Sequence, residues 1–538
     1  MDSSNRPRKA CDLCYTRKIK CDGQEPRCSN CINYATECTH IALRRKARPR
    51  AQRRATQSFP SQPKAQSRAI HQAERLREIT GEAPVDDQSP KDPNHAIDIM
   101  KLPPLPEAMA MVGIFLNTVN TALPLFHADT LLRMVGQCYA LHPRQRDPLV
   151  WAAINTVFAL ASQHRPSSTI EGVFHRQTEH TNEYLSNAQS VVSTVMTGDV
   201  SLLNVQTLLG MVMVLQTARD PTPALTLLSA TMRLVHKLGL HNRAASAHLD
   251  LVHRRQHARV FWIAYILDKD LSLRAEIPPV QLDDDIDVDL PSSLPVSLDD
   301  NDNTAGTLVT DDGKAKLSYF FARIQLASIE GRIYRYLYST QASKQSPLER
   351  TLLRDSISVA LDEWRASIPL EFGAAVVTLT ARSKPASLGF FCVLHSSGLQ
   401  CRMLINRAQA MDEQWIKGVR NFSRGISPLQ IPPCWEGLVH EARDFVLLFQ
   451  EIWSRDSWFR WITTCPYISA TMLLTANSLY NIRHKKVALD IELIDAALSW
   501  LNDLILEDPS DAKKKFRDIF TEAAHKVKRK LAVNDRLE

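Results

Sequence analysis

Six cysteines fall between positions 11 and 38, in the order Cys11-x2-Cys14-x6-Cys21-x6-Cys28-x2-Cys31-x6-Cys38. The last three repeat the first three at a constant offset of 17 residues. Thiolates at such spacing are zinc ligands, and zinc takes four of them in a tetrahedron with Zn–S near 2.3 Å. Six ligands cannot supply two separate zincs with four each. Two zincs are both four-coordinate only if two cysteines bridge them. By the repeat, the bridges are Cys11 and Cys28, which open the two halves, and two zinc ions per chain are expected.

The elements that must position these ligands are short. Cys-x2-Cys places two ligands about one helical turn apart, so each half is expected to hold a short helix, with the third cysteine returning from extended chain. Asp12 and Ser29 directly follow the opening cysteines and are read as helix caps. Pro26, within Glu25-Pro26-Arg27, marks the loop joining the halves.

The halves match in ligands and differ in charge. The first carries Arg17, Lys18 and Lys20, and seventeen residues on stand Tyr34, Ala35 and Glu37. Only the first half is equipped to meet phosphates and base edges, an asymmetry that a metal store would not need. The charge of the whole chain agrees. Residues 1–54 sum to +9, which leaves −2 for the rest of a 538-residue chain of net charge +7. A basic head on a near-neutral body fits a nucleic-acid reader joined to a regulatory part.

The run Lys9-Ala10-Cys11-Asp12-Leu13-Cys14, continued by Arg17-Lys18-Ile19-Lys20-Cys21-Asp22-Gly23 and Pro26-Arg27-Cys28-Ser29-Asn30-Cys31, resembles the fungal zinc binuclear-cluster family of transcription factors. The resemblance implies that Lys18, four residues after the second cysteine, reads a CGG triplet in the major groove of double-stranded DNA, and that Arg17 and Lys20 contact the backbone. Lysine donating to guanine O6 and N7 is sound chemistry for such a triplet. Lys9 and the run Arg44, Arg45, Lys46 are further candidate DNA contacts. A disulfide knot would also use six cysteines but does not suit an intracellular chain. A zinc-stabilised protein-interaction module stays open as an alternative.

Residues 41–105 read as a linker. Arg44 to Arg54 holds seven basic residues and no acid, the composition of a nuclear import signal and a phosphate-tracking arm. Proline, serine and glutamine then dominate, which cannot bury a core, so this stretch is expected to be disordered. The only coiled-coil candidate, Ala69 to Ile79, is about one and a half heptads long, short of the three or four of a stable coil.

From residue 106 to 538 helical periodicity takes over. Leu438, Ala442, Phe445, Phe449 and Ile452 paint one helix face, as do Leu493, Ala497, Trp500 and Leu504. Ala224 to Leu238 ends at Gly239, a helix-terminating signal. No comparable strand alternation stands out, so the third part is expected to be a large all-α regulatory domain. Phe115–Thr130, Leu234–Asn242 and His257–Pro291 resemble the helical middle region of the same family. There the family usually turns on Gly-Arg-Pro, where this chain has Arg274-Ala275-Glu276-Ile277-Pro278. Phe261, Trp262 and Tyr265 are read as core, and the acidic run Asp283 to Asp289 as a solvated loop. Cys138, Cys392, Cys401, Cys434 and Cys465 sit among apolar neighbours and are read as core.

No signal peptide precedes residue 10, and the longest apolar run, Val260 to Leu267, is far below the roughly 18 residues of a membrane span. No phosphate-binding glycine loop, metalloprotease HExxH or GxSxG elbow is present, so no enzymatic activity is expected. His395 and Cys401 are six apart on an apparent helix and face different ways. The expectation is a nuclear regulator that binds DNA and the transcription machinery, not membrane, as activator rather than repressor, over a metabolic or secondary-metabolite gene set. One cluster reads about three base pairs, too few for genomic specificity, so a homodimer or heteromer is expected.

Overall fold

A computed structural model describes Cys11, Cys14 and residues 21–24, 26–33, 38 and 39 of the first ninety-nine. It describes residues 100–534 apart from 165–170, 292–304, 311, 381–387, most of 411–433, 453–457 and 508. The chain divides into two units, residues 1–90 and 91–538. Lys9, Arg17, Lys18, Lys20, Arg44, Arg45, Lys46, the linker expected to be disordered and the Ala69–Ile79 coil candidate lie outside the described residues.

In the first unit the described helix is α1 (Ser29–Asn33). The second unit is built on helices, as the periodicity requires. They run α2 (Leu105–Asn117), α3 (Ala128–Ala140), α4 (Pro148–Gln163), α5 (Glu171–Ser190), α6 (Leu202–Leu215), α7 (Thr222–Lys237) and α8 (Leu251–Arg274). After a short hairpin come α9 (Tyr319–Ile333), α10 (Pro347–Ala366), α11 (Ala374–Thr380) and α12 (Leu388–Ala410). The chain closes with α13 (Trp435–Ile452), α14 (Arg460–Tyr480), α15 (Val487–Glu507) and α16 (Asp511–Asn534).

Local chemistry starts these helices. Asp147 accepts from the amides of Leu149 (2.8 Å) and Val150 (3.1 Å), with Pro148 at the first helical position. Ser346 and Glu349 form a reciprocal capping box on α10. Asp250 accepts from the His253 amide and caps α8.

Three helices are buried on all sides over much of their length, which only a central position allows. Trp151 to Ala161 of α4, Asn204 to Val214 of α6 and Val260 to Leu273 of α8 are buried without a break. Helix α4 packs on α2, α5 and α6, and α8 on α7 and α9. At the α4–α6 crossing a Cβ on Gly210 would lie 2.4 Å from the Thr156 methyl, so only glycine permits that approach. The faces read on α13 and α15 are all buried, as are Phe261, Trp262 and Tyr265. Helix α7 ends where Gly239, at φ +68°, lets the Leu240 amide reach the Val235 carbonyl.

The body is largely helical, as expected, with one short hairpin among the described residues: β1 (Thr307–Val309) pairs antiparallel with β2 (Lys316–Ser318) around an Asp312-Gly313 turn, Gly313 standing at φ +70°. Other sequence expectations need correction. Of the scattered cysteines, Cys138, Cys392 and Cys401 are buried, but Cys434 and Cys465 are exposed. Helix α12 is longer and more apolar than the sequence reading allowed. Leu388–Ala408 has a mean hydropathy of 1.3, enough to cross a bilayer by length and composition, yet it is 78% buried within the body. On that helix His395 bonds the Phe372 carbonyl at 2.9 Å, while Cys401 is sealed away without a hydrogen-bonded base.

The acidic run is solvated as expected, with Asp284, Asp285, Asp287 and Asp289 exposed, but it is anchored at its start. Asp283 lies 2.9 Å from the ammonium of Lys269, which is only 3% exposed, and accepts from the Tyr265 hydroxyl. Lys269 also donates to the Gln281 carbonyl at 2.7 Å. Beside it, buried Asp268 accepts the amides of Val280 and Gln281, both at 2.9 Å. Asp289 and Asp287 face Arg243, at 2.7 and 3.9 Å. The run is thus tied at Asp283 to a lysine that α8 buries, whose burial without a partner would be costly, and at Asp289 to an exposed arginine of the turn after α7.

The turn after α8 is resolved by a residue in glycine's place. Glu276 stands at φ +56°, the one left-handed non-glycine among the described residues. The Ile277 amide reaches the Ser272 carbonyl and the Glu276 amide that of Leu273, the pattern of a left-handed helix stop.

Candidate metal centre and nucleic-acid interface

The six cysteines gather as the repeat requires. Cys11, Cys14, Cys21 and Cys28 have all their sulfurs within 4.8 Å of one another, and so do Cys11, Cys28, Cys31 and Cys38. Cys11 and Cys28 belong to both groups. Four sulfurs tetrahedrally disposed at about 2.3 Å from a zinc stand about 3.8 Å apart. Here Cys11 and Cys28 lie 3.6 Å apart, Cys11 and Cys31 3.6 Å, and Cys14 and Cys28 3.8 Å. These are tetrahedron edges, far longer than the ~2.05 Å of a disulfide. Cys11, Cys14, Cys28 and Cys31 are fully buried, with Cys21 and Cys38 at the margin.

Burial and neighbouring thiols push Cys14 up to about 12 and raise Cys31 as well. In the same cluster backbone hydrogen bonds lower Cys11 and Cys28, and a bound cation would favour the thiolate form of all six. The donor set fits zinc.

Two residues that the sequence reading missed hold the frame. Asp22, just after the third ligand, accepts from the Ser29 amide (3.1 Å) and hydroxyl, which lowers its pKa. It therefore caps α1 from seven residues upstream. Ser29, expected to be the cap, is the capped residue instead; Asp12 lies outside the described residues. The signal was an acid beside a ligand, opposite a free helix start. Asn30 donates its side-chain amide to Cys14 sulfur at 3.5 Å, which tethers α1 to a ligand of the other half.

With this geometry the comparisons with known proteins agree. Residues 9–48 match the fungal Zn(2)-Cys(6) binuclear cluster domain, and residues 112–366 match the fungal specific transcription factor domain. The chain belongs to the fungal zinc binuclear-cluster transcription factor family. It is similar to the ABC-transporter-regulating transcription factors of Aspergillus fumigatus and Aspergillus oryzae, each 33% identical over 423 residues. That match takes in 77% of this chain but 46% of either relative, so the chain spans about half their length. It is also 29% identical, over 245 residues covering 45% of each chain, to the Fusaridione A cluster transcription factor of Fusarium heterosporum. The model matched by residues 112–366 and these three relatives are named for transcription factors, not for enzymes.

Proposed function

We propose that this chain is a nuclear, sequence-specific DNA-binding transcription regulator whose head holds two zinc ions between six cysteines. The observation that carries this reading is the pair of four-sulfur groups sharing Cys11 and Cys28, inside a stretch that matches the binuclear cluster domain. Zinc's contribution is structural: it holds the thiolates ionised and ties two short segments together. The chain's own residues do the reading. Lys18 contacts the bases of a CGG triplet, and Lys9, Arg17, Lys20, Arg44, Arg45 and Lys46 contact phosphates. The domain match running to residue 48 takes in Arg44, Arg45 and Lys46 and supports a contact of these arm residues with DNA.

The reader is residues 1–40, the connecting arm 41–105 and the regulatory domain 106–538. The protein acts as an activator in contact with the transcription machinery. It pairs with a second copy or another factor through the body beyond residue 105, because the Ala69–Ile79 segment is too short for a stable coil. Transporter genes are the favoured target class, since the relatives named for them match the larger share of this chain. The test is genome-wide mapping of bound sites, with titration of zinc-loaded full-length protein onto CGG duplexes. Enrichment of CGG triplets near transporter genes supports the reading. Equal affinity for CGG and for a scrambled triplet overturns it.

A further inference from the structure

The turn after α7, the first turns of α8, the Val288–Pro291 segment and the β hairpin surround a cavity of about 310 Å³. That volume is at the lower end of small-molecule sites. Part of its lining is apolar, with Leu240 and Phe320 buried, Val288 half-buried, and Leu251 and Leu290 exposed. Four arginines also line it: Arg243, Arg254, Arg255 and Arg259. Among the described lining residues the one carboxylate is Asp289, and Arg243 already holds it at 2.7 Å.

We propose that this cavity binds a small organic anion with an apolar body. Arg243 and Arg254 are exposed at the rim, and each has a partner. Arg243 is fixed by Asp287 and Asp289, and the Arg243 amide donates to the Asp287 carbonyl at 2.6 Å. Arg254 gives one N–H to the Leu249 carbonyl at 3.1 Å. A guanidinium has five donors in a planar fork, so both keep donors for a carboxylate, sulfonate or phosphate group. The apolar lining would cover the body of the same molecule. Phosphates of a DNA backbone need no apolar floor and do not enter a concavity of this size, which separates this site from a nucleic-acid contact. Because the cavity adjoins α7, α8 and the hairpin, its occupant would brace three elements of the regulatory domain. The proposal holds whether or not the head reads CGG.

The test uses the zinc-loaded full-length chain and the fluorescent anion 8-anilinonaphthalene-1-sulfonate, beside its uncharged relative N-phenyl-1-naphthylamine. One saturable site per chain is expected for the anion, with the neutral compound at least about tenfold weaker, the scale of losing a charged hydrogen bond. Arg254→Gln with Arg259→Gln should weaken the anion by about tenfold or more. Ala258→Phe, which keeps every charge and fills the space, should abolish the site. Melting curves without probe identify any variant that fails to fold, and the anion-to-neutral ratio on the unaltered chain then decides. The absence of a saturable site, equal binding of the two probes, or unchanged affinity in folded variants would overturn the proposal. So would a loss of DNA affinity in the double variant with its probe binding intact.

Discussion

The sulfurs of Cys11 and Cys28, seventeen positions apart in the chain, lie 3.6 Å from each other at the shared edge of two four-cysteine groups. Replacing either one removes a ligand from both groups, whereas replacing Cys21 or Cys38 removes a ligand from one. Cys11→Ser and Cys28→Ser should therefore release both metals at chelator levels where Cys21→Ser and Cys38→Ser retain one. Chelator titration with a zinc-sensitive dye reads this. Equal loss across all four variants would mean that the ligands are not shared as the sulfur distances imply.

Base reading is proposed for one side chain, Lys18. Lys18→Ala should weaken binding to a CGG duplex by about 1–3 kcal/mol and relax the triplet preference. Arg17→Ala and Lys20→Ala should weaken CGG and scrambled duplexes evenly and flatten the dependence on salt. Titrations at two ionic strengths separate the cases. Discrimination left intact by Lys18→Ala would move the role to another residue of the first half.

How much of this was legible in the sequence depended on whether the interaction was local. The cysteine repeat fixes its own geometry, because six ligands and a tetrahedral metal leave few arrangements, and the α13 and α15 faces follow from spacing alone. The hairpin left one trace, the Asp312-Gly313 turn signal, which two three-residue strands were too short to reinforce. Buried charge was not legible. Arg443 and Asp490, 47 residues apart, meet through two hydrogen bonds of 2.6 and 2.9 Å inside the α13–α15 contact, and nothing in either neighbourhood pairs them. Asp283 looked like any solvated acid until Lys269 was found buried beside it. Cys434 and Cys465 have apolar neighbours in sequence but are exposed in space.

Glu276 occupies a left-handed backbone position that disfavours any side chain by about 1–2 kcal/mol. Its contact with Arg407 spans 3.5 Å between exposed groups and contributes little. Glu276→Gly should stabilise the body by about 0.5–1 kcal/mol, the strain relieved less the extra freedom of glycine in the unfolded chain. Thermal melting of the full chain checks this. A lower melting temperature would show that the Arg407 contact outweighs the strain.

Glu330 is buried on α9, and that burial, with Asp270 nearby, raises its pKa to about 8, Arg323 and Arg274 opposing. Its ordinary value is 4.5, so between 4.5 and about 8 the folded chain binds a proton that the unfolded chain does not. Stability from this group is therefore full at low pH and falls as pH rises through that window. Glu330→Gln keeps the shape and removes the titration. The variant's melting temperature should gain on the parent's between pH 5 and pH 8. Parallel curves would mean that Glu330 is ionised in the fold and paired with Arg323.

The central claim is a cluster of two metals on six thiolates, two of them shared. Native mass spectrometry of the full-length chain purified in zinc counts them directly. The account predicts two zinc ions per folded chain, lost together under acid or chelator. One zinc per chain, with two of the six head cysteines free to alkylate, would contradict it.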